Sequence, residues 1–288
     1  MLHPTRRQAL VTALLAGAGA PIKARAQTAA QRDIDAALQA ALAGAHRSAA
    51  NRARDSARHP QETLRFLGLE PAMTVVELAP GGGWYTEVLA PVLRERGRLI
   101  AAHYAPDSAD EGRRRSRAGF EAKLAKEPAL YDRVVVGTLP RTPAFADPPL
   151  AEGSADMVLT FRNVHNWLED GHLDATLAAC HRALKPGGVL GVEEHRAAPG
   201  TALAQMMKSG YVTEAVMEER ARAAGFVLAA RSEINANPRD TKDHPNGVWS
   251  LPPTLRGAGV DQPAERARLL AIGESDRFTH RYVKRAGA

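Results

Sequence analysis

Two groups of residues in this 288-residue chain have the types and spacing to do chemistry. The first is the run Val75-Val76-Glu77-Leu78-Ala79-Pro80-Gly81-Gly82-Gly83-Trp84-Tyr85-Thr86: an apolar β-branched stretch holding one acid, then three glycines, then helix-compatible sequence. A strand that feeds a glycine turn and a helix lets the backbone approach a ligand, because glycine has no obstructing Cβ. It also aims the free amides of the helix start at whatever is bound. The dinucleotide pattern G-x-G-x-x-G does not fit, since after Gly81 and Gly83 the third glycine would fall on Thr86. A nicotinamide dehydrogenase is set aside on that ground. The second group is His165, Glu194 and His195. Histidine, or a carboxylate of raised pKa, can take a proton from an oxygen or nitrogen acceptor near neutral pH. The same residue types also suit a transition metal, but no flanking ligand spacing accompanies them, and no metal is expected.

These residues need elements to bring them together. Ile34, Leu38, Ala41 and Leu42 recur at helical spacing across residues 29–43. Pro60 suits the start of a second helix with Leu64 and Leu67 on its apolar side, and Gly68 suits its end. Short β-branched runs then follow at 73–78, 98–103, 133–136, 157–161 and 189–192, with helical stretches near 84–95, 111–127 and 172–184. Strands alternating with helices predict an α/β fold, a mainly parallel sheet with helices on both faces. A helix at about 211–224, a strand at 226–232, an irregular stretch of roughly 40 residues (235–275) and a last strand at 277–284 complete the chain. Ligands of open α/β sheets sit beyond the carboxyl ends of the strands. That edge receives residues 81–85, then 162–167 with Asn163 and His165, then 193–196 with Glu194 and His195.

Composition narrows the class. With 44% hydrophobic and 24% charged residues the chain is globular, neither collagenous nor disordered. Its one cysteine, Cys180, excludes an internal disulfide framework or a CxxC site. The formal net charge of +6 invites a nucleic-acid reading, which the amino terminus weakens. Arg6-Arg7, an apolar run at 11–20 and Ala24-Arg25-Ala26 form a basic, apolar, small-x-small layout, that of an export signal cleaved near Ala26. The run is too short to span a bilayer. Those 26 residues carry four bases and no acid, so their removal lowers +6 by four, to +2. The Arg-rich cluster at 113–117 then reads as a solvated helix face, and no nucleic-acid partner is expected.

The paired arginines resemble a twin-arginine signal, which implies the twin-arginine export machinery as a partner and a periplasmic or secreted location. Three further segments, 75–83, 154–160 and 182–190, in that order, resemble the class I S-adenosylmethionine-dependent methyltransferases across residues 70–284. More narrowly, Gly-Gly-Gly-Trp-Tyr at 81–85 and Gly-Val-Trp-Ser-Leu-Pro-Pro at 247–253 are similar to a group of exported bacterial predicted methyltransferases. The resemblance implies a Rossmann-like seven-stranded sheet of order 3-2-1-4-5-7-6 with the last strand antiparallel. It implies S-adenosyl-L-methionine as cofactor, held around Glu77, Ala79, Gly81, Gly82, Gly83, Tyr85, His103 and Asn163. This chain departs from the family at Ala79, usually glycine, at His103, usually the ribose-binding acid, and at Thr138 in an adenine-facing Gly-Asp pair. Trp84, Trp167 and Trp249 offer aromatic faces suited to a sulfonium or an adenine.

The resulting division is a twin-arginine signal (1–26), an N-terminal helical extension (27–59) and a methyltransferase-like domain (60–288). Strand six ends, and an antiparallel last strand begins, at the carboxyl edge. The insertion at 235–275 is therefore expected to fold over the site as a lid, with Trp249 and Leu251 as apolar contacts and Arg239 or Lys242 facing the pocket. The function expected is methyl transfer to a small molecule, deprotonated by His165 or His195 with Glu194 orienting. The alternative is an exported protein that binds a ligand on this fold without catalysis. The mature chain is expected to have no stable membrane insertion; its acceptor and oligomeric state are not specified by these residues.

Overall fold

A computed structural model describes residues 28–285; the export signal expected at 1–26 lies outside the described residues. Seven strands form one sheet: β1 (Thr74–Leu78), β2 (Arg98–His103), β3 (Val135–Thr138), β4 (Ala155–Phe161), β5 (Leu184–His195), β6 (Phe226–Ser232) and β7 (Arg277–Lys284). Their order is β3-β2-β1-β4-β5-β7-β6, and β7 runs antiparallel to both of its neighbours. The order and the antiparallel strand are those implied by the resemblance.

Side chains alternate across a strand, so neighbours in sequence serve opposite faces. Val76, Leu78, Ile100, Val158 and Leu190 join one core with the helices Val164–Glu169, Leu173–Ala183, Leu203–Ser209 and Glu214–Ala223. Val75, Leu99, Met157, Leu159 and Val189 join the other with Ala29–Ala43, Pro60–Leu67, Thr86–Leu93 and Glu111–Lys126. Both faces are covered, which is why the parallel strands read as unbroken apolar runs.

The expected N-terminal helix spans Ala29–Ala43, opened by a Thr28/Gln31 capping box. Its buried residues Ile34, Leu38 and Ala41 pack on the same side of the sheet as Val75, Trp84 and Val88. Leu38→Ala is expected to cost about 2–5 kcal/mol by leaving a cavity; chemical denaturation checks it. No helix among the described residues is long and apolar enough to cross a membrane.

Three expectations change. β5 is longer than 189–192 because Leu184 already pairs with Ala155; residues 185–188 then bulge out before pairing resumes at Val189 and Met157. Glu194 and His195 consequently lie in the strand, paired with Phe278 and Arg277 of β7, instead of in a loop beyond it. The 235–275 stretch is not wholly irregular: it contains a 3-10 turn, Gly247–Ser250, and a helix, Pro263–Ile272. Leu251, Leu255, Ala258 and Leu269 give that insertion a small apolar core of its own, so Leu251 points inward to it.

Candidate active site

The site grows from the carboxyl ends of β1, β4 and β5. Glu77 lies mid-sheet in β1, beside Ala101 and Leu159. It is 2% exposed, and Thr86, at the start of the following helix, donates its hydroxyl to Oε2 at 2.6 Å. Burial pushes the carboxyl up to about 7, although the Thr86 bond and Lys123 pull the other way. Because its folded pKa exceeds the ordinary value of 4.5, the folded state holds the extra proton between about 4.5 and 7. Stability contributed by that proton is present at low pH and is lost as pH rises through about 7. Glu77→Gln is therefore expected to flatten the fall in denaturation midpoint between pH 5 and 8; an unchanged slope would remove Glu77 as its source.

Beyond Glu77 the chain turns sharply. Ala79 takes φ +47°, a left-handed conformation that costs an L-residue roughly 1–2 kcal/mol. That accounts for glycine being usual at this position. Gly81 and Gly83 also have positive φ, +57° and +77°. The carbonyls of all three glycines are held from behind: His103 Nε2 on Gly81 at 3.1 Å, and Lys123 Nζ on Gly82 and Gly83 at 3.0 and 3.2 Å. A Cβ added at Gly81 or Gly82 would meet nothing within 4 Å. The loop thus leaves open space at Gly81 and Gly82, a few residues beyond a buried acid. Asn163 stabilises its entry by donating Nδ2 to the carbonyls of Leu78 and Ala79.

His103 is fully buried, and both ring nitrogens are used inside the protein. Its Nδ1 accepts the Tyr104 amide at 2.7 Å, so Nε2 carries the proton it gives Gly81. Burial lowers its pKa below the usual histidine range, and it serves as a support of the loop. Tyr85 is turned inward too. It stacks on Phe161 with centroids 3.5 Å apart and donates its hydroxyl to Glu193 at 3.1 Å. Trp84 gives its indole N–H to the Asn51 carbonyl, with Arg47 and Arg58 over its ring at 5.1 and 4.7 Å. Trp167 is buried in the core. Of the three tryptophans, only Trp249 lies beside a candidate catalytic group.

Alternation along β5 sends Glu193 and Glu194 to opposite faces, where each meets a different network. Glu193 accepts from Tyr85, Arg162 at 2.7 Å and Arg277 at 2.9 Å. Burial opposes its ionisation, but Arg162, Arg277 and Arg58 outweigh that and hold its pKa below the usual range. Glu194 instead accepts the amides of Val164 (2.5 Å), His165 (3.4 Å) and His195 (2.8 Å), and its Oε1 lies 2.9 Å from His165 Nδ1. A carboxylate so surrounded by donors receives the Nδ1 proton, leaving the lone pair of His165 on Nε2. That nitrogen makes no hydrogen bond to the described residues. His165 and Glu194, 29 residues apart in sequence, thus become a carboxylate–imidazole pair.

His195 sits beside it, with ring centroids 5.2 Å apart, and its Nδ1 lies 2.5 Å from Ser275 Oγ. Burial, then His165 and the arginines 162, 277 and 58, hold its pKa well below the usual range, so it is uncharged at neutral pH. Ligand atoms of His165, Glu194 and His195 lie within 4.8 Å of one another, as a metal site would need. Two features argue against that use. The oxygens of Glu194 are already engaged by four donors, and three arginines lie near enough to weigh on His195.

The insertion reaches this edge. Trp249 stands 5.8 Å from the His165 ring, and the Arg256 guanidinium lies over the Trp249 ring at 5.2 Å. Lys242 is not free to face a pocket, because it pairs with Asp276 at 2.8 Å. A cavity of about 530 Å³ opens beyond the ends of β2 and β3, lined by Tyr104, Asp107, Thr138 and Leu139 among others. A larger one, about 980 Å³, involves the first residues of β6 and so lies at the opposite edge of the sheet. His103, expected among the residues that hold the cofactor, supports the loop instead. The second support Lys123 and the partner Asn51 carried no sequence signal, since each acts through a backbone atom or a distant segment.

Residues 76–192 match a family described as "Methyltransferase domain". No curated protein matches the chain in sequence. The [4+2]-cyclase SpnF is similar in structure at 19% identity and TM-score 0.54, covering 91% of this chain and 98% of its own. A Haemonchus contortus phosphoethanolamine N-methyltransferase 2, solved with S-adenosyl-L-methionine, is similar at 15% identity and TM-score 0.53, covering 80% of this chain and 53% of its own. Together with the strand order, these likenesses show that the chain has the fold of the class I S-adenosylmethionine-dependent methyltransferases.

Proposed function

We propose that this protein is an S-adenosylmethionine-dependent methyltransferase acting on a small molecule, with His165 as the proton acceptor. The observation that carries the reading is the open space at Gly81 and Gly82 after the strand of Glu77, with Asn163 tying that turn to the segment that bears the His165–Glu194 pair. A buried acid with an oxygen left over after Thr86 suits a cationic ligand, so the residues present fit this cofactor. Gly81 and Gly82 would admit it, Glu77 would face its positive charge, and the cavity beyond β2 and β3 would take its nucleoside end, with Asp107 as the acid that His103 does not supply. When bound, S-adenosylmethionine supplies an electrophilic methyl group. Glu194 keeps the Nδ1 proton of His165 in place, so that Nε2 can accept the proton an oxygen or nitrogen acceptor must lose. Neutral His195 and Trp249 flank the His165 ring, with centroids 5.2 and 5.8 Å away.

The fold alone does not decide the reaction, since a similar structure is named a cyclase. Calorimetry with S-adenosylmethionine and its demethylated product, followed by label transfer from methyl-labelled cofactor to a metabolite mixture, tests the reading. Binding without transfer would favour the non-catalytic alternative. Absence of binding would sink the methyltransferase reading.

We further propose twin-arginine export from residues 1–26. Replacing Arg6 and Arg7 together by Lys is expected to retain the chain in the cytoplasm uncleaved. Fractionation showing continued export would overturn that assignment.

A further inference from the structure

We propose that the cleft between residues 53–59 and the 235–275 insertion is a binding site for a small anion, a carboxylate or a phosphate, recognised through Arg239, Arg54 and His59. The cleft has a volume of about 510 Å³, and Arg54, His59, Asn235, Arg239, Glu274 and Arg277 are among the residues that line it. Its charge is unbalanced. Glu274 is the single carboxylate on the wall, and it is already shared by Arg54 at 2.7 Å, Arg58 at 3.0 Å and Arg277 at 3.4 Å. Although burial pushes Glu274 upward, Arg58, Arg277, Arg162 and Arg54 together hold it at about 2. Burial, with Arg162 and Arg54 adding to it, brings even the Arg58 guanidinium down to about 9. Excess positive charge at one place is the electrostatic condition for holding an anion.

The hydrogen-bonding state of the wall agrees. The Arg239 guanidinium has no ion pair or hydrogen bond among the described residues; one of its nitrogens lies 3.4 Å from where a Cβ on Gly273 would stand. Arg54 Nη2 and His59 Nδ1 are buried without a partner, as is Asn235 Oδ1 of a side chain 1% exposed. Orphaned polar groups are rare in folded proteins and call for a missing partner. Here three residues bearing them line one cleft, beside an unpaired guanidinium. An anion with two or more oxygens supplies acceptors for the Arg54 and Arg239 guanidiniums and for His59 with its proton on Nδ1, though not for Asn235 Oδ1, itself an acceptor. Guanidinium suits carboxylate and phosphate in a two-pronged geometry. His59 is also held at φ +41°, a left-handed conformation uncommon outside glycine.

The cleft is coupled to the histidine pair by chain continuity. Glu274 and Arg277, both on its wall, bracket Ser275, whose hydroxyl lies against His195. The proposal nonetheless stands without methyl transfer, because anion binding is read with neither cofactor nor acceptor present.

Titration calorimetry on the full chain with inorganic phosphate and, separately, succinate at constant ionic strength tests it. At least one anion is expected to bind saturably; the tighter one assigns the class. Arg239→Ala, at an exposed position outside every core cluster, is expected to weaken that binding at least tenfold, and Arg239→Lys to recover part of it. No saturable binding of either anion, or equal affinity in Arg239→Ala, would overturn the site.

Discussion

Gly82→Val is expected to abolish detectable S-adenosylmethionine binding, a loss of at least 100-fold, while the denaturation midpoint stays near that of the unsubstituted chain. A hundredfold loss is about 2.7 kcal/mol, well above the roughly 0.5 kcal/mol typical of a surface change. The choice of Gly82 over its neighbours follows from the loop's geometry. Gly81 and Gly83 have positive φ, so any side chain there is strained before a ligand arrives. A Cβ at Gly83 would also stand 3.0 Å from the Phe120 ring. Gly82 avoids the left-handed region and faces open space, so a branched side chain meets only what binds there. Calorimetry and circular dichroism on the same sample separate the two effects. Unchanged affinity in a folded Gly82→Val protein would move the cofactor away from this loop.

His165→Ala is expected to lower kcat by about 10²–10⁴, the usual worth of a positioned proton acceptor, with cofactor affinity unchanged. Glu194→Gln is expected to act in the same direction for a different reason. Glu194 accepts three backbone amides and the His165 Nδ1 proton, and a glutamine amide would confront some of those donors with another donor. Such a mismatch costs about 1–3 kcal/mol of stability, and where the amide meets Nδ1 it drives the His165 proton onto Nε2. Nitrogen shifts of the imidazole report that tautomer without an acceptor, so this part can be checked before the substrate is found. Proton on Nδ1 in the native protein and on Nε2 in Glu194→Gln is the expected pattern. The same tautomer in both, with kcat unaltered in His165→Ala, would reassign the pair to structure.

Local sequence determined more of this protein than its low similarity to solved structures suggests. The helices Ala29–Ala43 and Pro60–Leu67 were legible from 3.6-residue apolar spacing, a proline start and a glycine stop, all of which act within one or two turns. β1, β2, β6 and β7 were legible to within a residue because each is a short β-branched or alternating run bounded by turn residues. The glycine loop was legible for the same reason, since positive φ is a property of single residues. β3 was displaced by two residues and β5 truncated, because their ends are set by pairing partners.

Tertiary structure decided what the polar residues do. The stretch before Pro60 reads in sequence only as polar and arginine-rich. Yet Arg47 and Arg58 are buried, because Asp55, Glu274 and the Trp84 ring lie where only the fold could bring them. His103 stands where a ribose-binding acid is usual, and only its two hydrogen bonds reveal a loop support. Glu193 and Glu194 are indistinguishable neighbours in the chain. The two-residue period of β5 gives one to Arg162, just past β4, and Arg277 on β7, and the other to His165 on the helix after β4, all distant in sequence. Hydrophobic spacing is a local quantity and can be read along a chain. The partner of a buried charge is chosen by whatever the packed elements place opposite it, and it becomes visible only when they meet.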